Sequence, residues 1–240
     1  MSKYWKNTGK QGNSRPGLEQ KMILLAIGGV LLVLILAGIL YLTIVEKVFQ
    51  RFQVERLKIS GGTFIYLQYE GNYHKLMDTI SKVKDGLQAF VERHEVKLGG
   101  GKRIEEEREV RMAGVYYDDP ARIMDVNKCR AVLGFILPSS TPQQEVDLFT
   151  TYFTQKKYKV KVFEEVSAIG AKFELVGFAS LMSSVVRGYP AIKKAMAKDK
   201  EQAQCSMEVY EWSIQKLTIC FLLGDALLGL SGKPVPPYKS

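Results

Sequence analysis

The apolar and polar positions divide this chain into two parts with different periods. From Met22 to Val45 the 24 residues MILLAIGGVLLVLILAGILYLTIV carry no charge, with Lys21 before them and Glu46–Lys47 after. A helix rises about 1.5 Å per residue, so this one reaches roughly 36 Å, enough to cross a hydrocarbon core of about 30 Å. A core helix of a globular domain is apolar along one stripe, and the apolar part of a cleaved signal runs only about 7–15 residues. A permanent transmembrane helix over 22–45 fits better than either. The next apolar run, Leu217–Leu223, is of strand length.

Around the anchor the pattern changes. Residues 1–21 are polar and rich in Gly, Asn and Lys, which predicts a disordered basic head. Over 46–62 the apolar Val48, Phe49, Phe52 and Val54 are spaced among charges, read as a helical stalk that Gly61–Gly62 ends. Thr63–Glu70 is β-branched and aromatic, a strand by composition. From Tyr73 to Val91 the apolar residues recur every three or four positions and predict an amphipathic helix. Leu98–Glu109 is Gly-rich and then densely charged; without the Gly/Lys/Ser spacing of a phosphate loop it reads as a solvated loop. Strands over Val110–Tyr117 and Cys129–Leu137 follow.

Thr141-Pro142-Gln143-Gln144 has the form of a capping box with Pro at the first helical position, and Val146, Phe149, Tyr152 and Phe153 give the helix after it an apolar side. Tyr158–Val166 and Ala168–Val176 alternate as strands. Phe178, Leu181, Met182, Val185 and Val186 mark a helix over Gly177–Arg187, which Gly188 and Pro190 are expected to stop or kink before a short continuation. Ser206–Trp212 and Lys216–Leu223 form a hairpin, and 224–240 is a Pro-rich tail. Strand–helix–strand–strand thus occurs twice, at about 63–137 and 168–223. Two such units closing their apolar faces predict one α+β domain over 63–223 with a central antiparallel sheet and a cleft between its halves.

Charge and cysteine content narrow the reading. The net charge is +9, without the clustered Lys/Arg or reading motif that a direct nucleic-acid contact needs; beside a bilayer, a modest basic surplus attracts anionic headgroups. Three cysteines, Cys129, Cys205 and Cys220, are too few and odd in number for a disulfide framework. With only His74 and His94 beside them and no ligand spacing, neither a metal site nor a cofactor is expected. The cysteines and the lack of Asn-x-Ser/Thr acceptors after the anchor favour a reducing, cytosolic side for residues 46–240.

Candidate chemistry concentrates on the second hairpin. Alternation places Glu208, Tyr210 and Trp212 on one face of their strand and Met207, Val209 and Glu211 on the other. A carboxylate between large aromatic rings suits an apolar cation, the rings supplying cation–π attraction and the acid the counter-charge. Tyr116 and Tyr117 are expected to line the facing wall. No nucleophile elbow, metal-spaced His–Glu pair or paired Cys–base arises, so no catalytic residue is assigned. Phe163-Glu164-Glu165-Val166 matches a four-residue aromatic-x-x-aliphatic docking motif, but in a predicted strand, where its backbone is already paired.

VYYDDP (Val115–Pro120), KCRAVLGFIL (Lys128–Leu137) and CSMEVYEW (Cys205–Trp212) resemble the GyrI-like small-molecule-binding domains, over about 22–223 when animal members with one N-terminal membrane helix are included. The resemblance implies two βαββ units, with Glu208 meeting a cationic ligand in the cleft between them. Some bacterial relatives hydrolyse strained small molecules there. It further implies a cytosol-facing receptor or adaptor at the endoplasmic reticulum or nuclear envelope, serving reticulophagy through Atg8-family proteins or recruiting the p97 ATPase.

Overall fold

A computed structural model describes residues 17–45, 47–94, 110–120, 122–211, 214–227 and 229–232. The chain falls into two compact units, Met1–Val45 and Glu46–Ser240. In the first, helix α1 (Leu18–Ile44) is long and apolar enough over Gln20–Ile44 to cross a membrane, and the side chains described along it are exposed. Thr43 Oγ1 returns a 2.8 Å hydrogen bond to Ile39 O, so even this hydroxyl is satisfied within the helix.

The second unit is α+β, as the duplicated pattern implies. Its strands are β1 (Glu55–Ile59), β2 (Gly62–Glu70), β3 (Arg111–Tyr116), β4 (Arg130–Pro138), β5 (Lys159–Phe163), β6 (Val166–Glu174), β7 (Cys205–Glu211) and β8 (Lys216–Leu222). Among the described residues three helices pack with them: α2 (Met77–His94), α3 (Gln143–Gln155) and α4 (Phe178–Asp199). The sheet runs β1-β6-β8-β7-β3-β4-β2-β5 and every pairing is antiparallel. Its order is a palindrome of two repeats: β6-β8-β7 of the second meets β3-β4-β2 of the first across the β3–β7 pair. Each outer strand precedes one repeat and pairs with the first strand of the other, β1 with β6 and β5 with β2.

Alternation along the strands gives the sheet two apolar faces. One carries Phe64, Val115, Tyr117, Val132, Ile136, Met207 and Cys220, and gathers Leu57 of β1 and Phe163 of β5, strands at opposite ends of the sheet, into the same cluster. The sheet is therefore curled around this face. The other face carries the helices. The first repeat holds α2 and α3 through rings, Phe90 lying 4.0 Å from Phe149 between centroids and Phe153 4.8 Å from Phe135. The second repeat holds α4 over Ile169, Phe173, Leu217 and Ile219. Where β2 and β4 cross most closely, Gly134 is required: a Cβ there would lie 1.9 Å from Ile65 O.

Several sequence expectations are revised. The expected helical stalk over 46–62 contains β1, whose Leu57 and Ile59 are buried while Glu55, Arg56 and Lys58 stay in water. Tyr158–Val166 is two elements, β5 and the start of β6, with a break at Glu164–Glu165. The Thr141 capping box does not form, since Pro142 is the N-cap residue and no side chain caps the helix. Neither Gly188 nor Pro190 interrupts α4, which runs through both. The amide that Pro190 lacks would have bonded the Val186 carbonyl, and Val186 lies on the exposed stripe of the helix where water can serve that oxygen. The head before residue 17, the charged loop 95–109, and the tail beyond 232 lie outside the described residues.

Candidate functional site

The two repeats meet at β3 and β7, where Gly114 pairs with Glu208 and Tyr116 with Ser206. On the helix-bearing face this junction gathers a single carboxylate and three phenols. Glu208 is 6% exposed. Its Oε2 accepts hydrogen bonds from Tyr210 Oη at 2.6 Å and Tyr116 Oη at 2.9 Å; its Oε1 accepts one from Tyr189 Oη at 2.9 Å. Among the described residues no Lys, Arg or His stands within ion-pair distance of it. A carboxylate removed from water this far ordinarily needs a paired cation; among the described residues its partners are hydroxyls.

Local packing explains how each group arrives. Glu208 and Tyr210 are two apart on β7 and share a face. Gly114, opposite Glu208, leaves room for the Tyr116 hydroxyl, which a Cβ at Gly114 would meet at 2.8 Å. Tyr189 comes from α4, and the neighbouring Gly188 lets that helix close on the sheet, since a Cβ there would lie 2.8 Å from the Phe173 ring. One turn beyond Tyr189, Lys193 Nζ donates to Asp119 Oδ2 at 2.6 Å, tying α4 to the β3–β4 connection. Asp118 holds the same connection by accepting from Arg130 Nε at 2.8 Å, Nη2 at 2.7 Å and backbone N at 2.7 Å. The Asp-Asp pair after Tyr117 therefore positions both walls of the site.

Of the residues named from sequence, Glu208, Tyr210 and Tyr116 come together. Tyr117 does not join them: the next residue along a strand turns to the opposite face, and its hydroxyl donates to Leu227 O at 2.8 Å in the other core cluster. Trp212 lies outside the described residues. Tyr189 escaped sequence reasoning because helical periodicity gives an isolated aromatic no chemical role; its one signal was the Gly–Tyr–Pro context. Phe163 and Val166 are both buried in the curled face, so an Atg8-family contact through them is closed in this fold. Among the described residues no group of three His, Cys, Asp or Glu is placed to hold a metal ion.

Burial, with the Glu208 charge next in effect, holds the hydroxyl pKa values of Tyr116, Tyr189 and Tyr210 well above the ordinary tyrosine value. The phenols thus stay protonated as donors while the carboxylate accepts. Aromatic walls around a buried anion can stabilise an organic cation by cation–π attraction and direct charge neutralisation. The closed hydrogen-bond shell means that a guest must displace one or more tyrosines to reach the carboxylate.

No family model and no curated protein matches the chain. Solved structures similar to it include an uncharacterized conserved protein from Listeria innocua (13% identity, covering 76% of this chain and 97% of that one, TM-score 0.47). A hydrolase from the same organism matches at 13% identity over 75% of this chain and 98% of its own, with a TM-score of 0.45. The structure of SAV2435 bound to tetraphenylphosphonium matches at 9% identity over 73% and 94%, with a TM-score of 0.40. Likeness at this level describes chain path and assigns no ligand or reaction to the present protein.

The asymmetry of the shell gives a test. Tyr189→Phe leaves Oε1 without a donor and is expected to cost about 1–3 kcal/mol, whereas Tyr116→Phe leaves Oε2 one donor and should cost about 1 kcal/mol; denaturant unfolding ranks the two, and the reverse order contradicts the geometry. The raised phenol pKa values set a pH dependence. Above about pH 10 the folded chain keeps protons that the unfolded chain has lost, so the contribution, complete below that pH, falls as pH rises further. Tyrosinate absorbance from these residues is expected to appear together with loss of structure in an alkaline titration.

Proposed function

We propose that the globular unit is a binding module for a small apolar organic cation, received at Glu208 between Tyr116, Tyr189 and Tyr210, and that it binds without catalysing a reaction. The observation that carries this reading is the buried carboxylate on three hydroxyls with no cationic side chain beside it among the described residues. A folded chain tolerates such a charge poorly, and a guest of opposite charge supplies what the fold leaves out. The test is a titration of the full chain in lipid nanodiscs with tetraphenylphosphonium, compared with Glu208→Gln. Saturable binding by wild type, weakened at least tenfold in the variant, is the expected result. Equal uptake by both proteins would refute the site.

As a second reading, favoured by the exposed apolar α1, we propose a single-pass protein of the endoplasmic reticulum membrane with residues 46–240 in the cytosol. In this reading it is a relative of testis-expressed protein 264, acting as a reticulophagy receptor or p97 adaptor. The support for this membrane and these partners is the motif resemblance and the helix, so orientation comes first. Protease added to sealed microsomes is expected to digest the globular unit and spare α1; protection of the globular unit instead rules out both cytosolic partners.

A further inference from the structure

The two faces of β7 carry different chemistry. Glu208 and Tyr210 serve the site under the helices, while Val209 and Glu211 look to the curled face. On that face a half-open cavity of about 430 Å³ lies beside β1, lined by Leu57, Ile59, Arg111, Lys172, Val209 and Thr218. Its volume falls within the range of about 300–1,000 Å³ typical of small-molecule sites. One wall is incomplete in a chemical sense. The Nε of Arg111 is shut off from solvent and has no hydrogen-bond partner among the described residues. A buried donor without an acceptor is costly, more so on a charged side chain, and a native fold ordinarily supplies one; a guest in the cavity meets this nitrogen once the side chain turns towards it.

The other charges of the lining narrow the missing acceptor. Arg56 is held by Glu201 and Lys58 by Glu165. Arg111 and Lys172 are engaged in no ion pair among the described residues, and together they favour an anion. Glu55 and Glu211 stand in the same lining and would repel a multiply charged one. A guanidinium offers a planar fork that matches the two oxygens of a carboxylate. Leu57, Ile59 and Val209 supply an apolar floor for the remainder of such a ligand. We propose that this cavity is a second binding site, for a small organic carboxylate with an apolar body, with Arg111 gripping the head group.

Fluorine NMR of 4-fluorobenzoate with the full chain in nanodiscs tests the assignment. The expected result is saturable line broadening, weakened at least tenfold by Arg111→Met, which keeps the length of the apolar stem. Val209→Trp, which fills the cavity and leaves Arg111 in place, is expected to abolish it as well. Glu208→Gln should leave carboxylate binding unchanged, so the two sites succeed or fail separately. Absence of saturable broadening in wild type overturns the proposal, as does equal binding by Arg111→Met. Binding of the uncharged 4-fluorobenzamide at the same strength removes the role of charge, and tighter binding of 4-fluorophenyl phosphate removes the carboxylate.

Discussion

The β3–β7 ladder is the constraint on which the globular unit depends. Five residue pairs, from Met112 with Tyr210 to Tyr116 with Ser206, make one sheet out of two repeats. The register across this seam decides what each face receives. A slip of one residue would turn Glu208 into the curled apolar face and Met207 towards the helices. Because both central strands are flanked by their own repeat, the seam has no free edge, and its hydrogen bonds are shielded on both sides.

Around that seam the two halves are built by different means. The first uses bulk: Phe90, Phe135, Phe149, Phe153 and Tyr158 interlock between sheet and helices. The second uses close approach: the buried side of α4 begins with Ser180, Ser184 and Gly188, and the Ser180 hydroxyl accepts from the Val176 and Gly177 amides at its start. Small residues bring α4 near enough for a phenol to reach across to β7. Bulk on one side and proximity on the other let a twofold pattern yield a one-sided site with a single acid.

Much of this was legible in the chain. The uncharged run gave α1, and β-branched alternation with three- and four-residue spacing gave the repeats, because burial on one face is what those patterns encode. Glu208 and Tyr210 were legible for the same reason. What was not legible depended on contacts between elements distant in sequence. Gly188 reads as a helix breaker until Phe173 is seen against it, and β1 reads as part of a charged stalk until β6 pairs with it. Tyr117 is the opposite case: alternation along a strand already turns it away from Tyr116, to the face where its hydroxyl donates to Leu227 O.

The three thiols bear on where the chain can live. Cys129, Cys205 and Cys220 are all unpaired and buried, and burial pushes Cys205 up to about 12 and raises the other two. Cys205 faces Leu222 and Cys220 faces Met207, so the pair sits diagonally on adjacent strands, farther apart than directly opposed residues. A thiol that is neither ionised nor reachable does not exchange with glutathione or with an oxidoreductase. Folded, the globule therefore presents no cysteine thiolate for disulfide exchange with an outside partner.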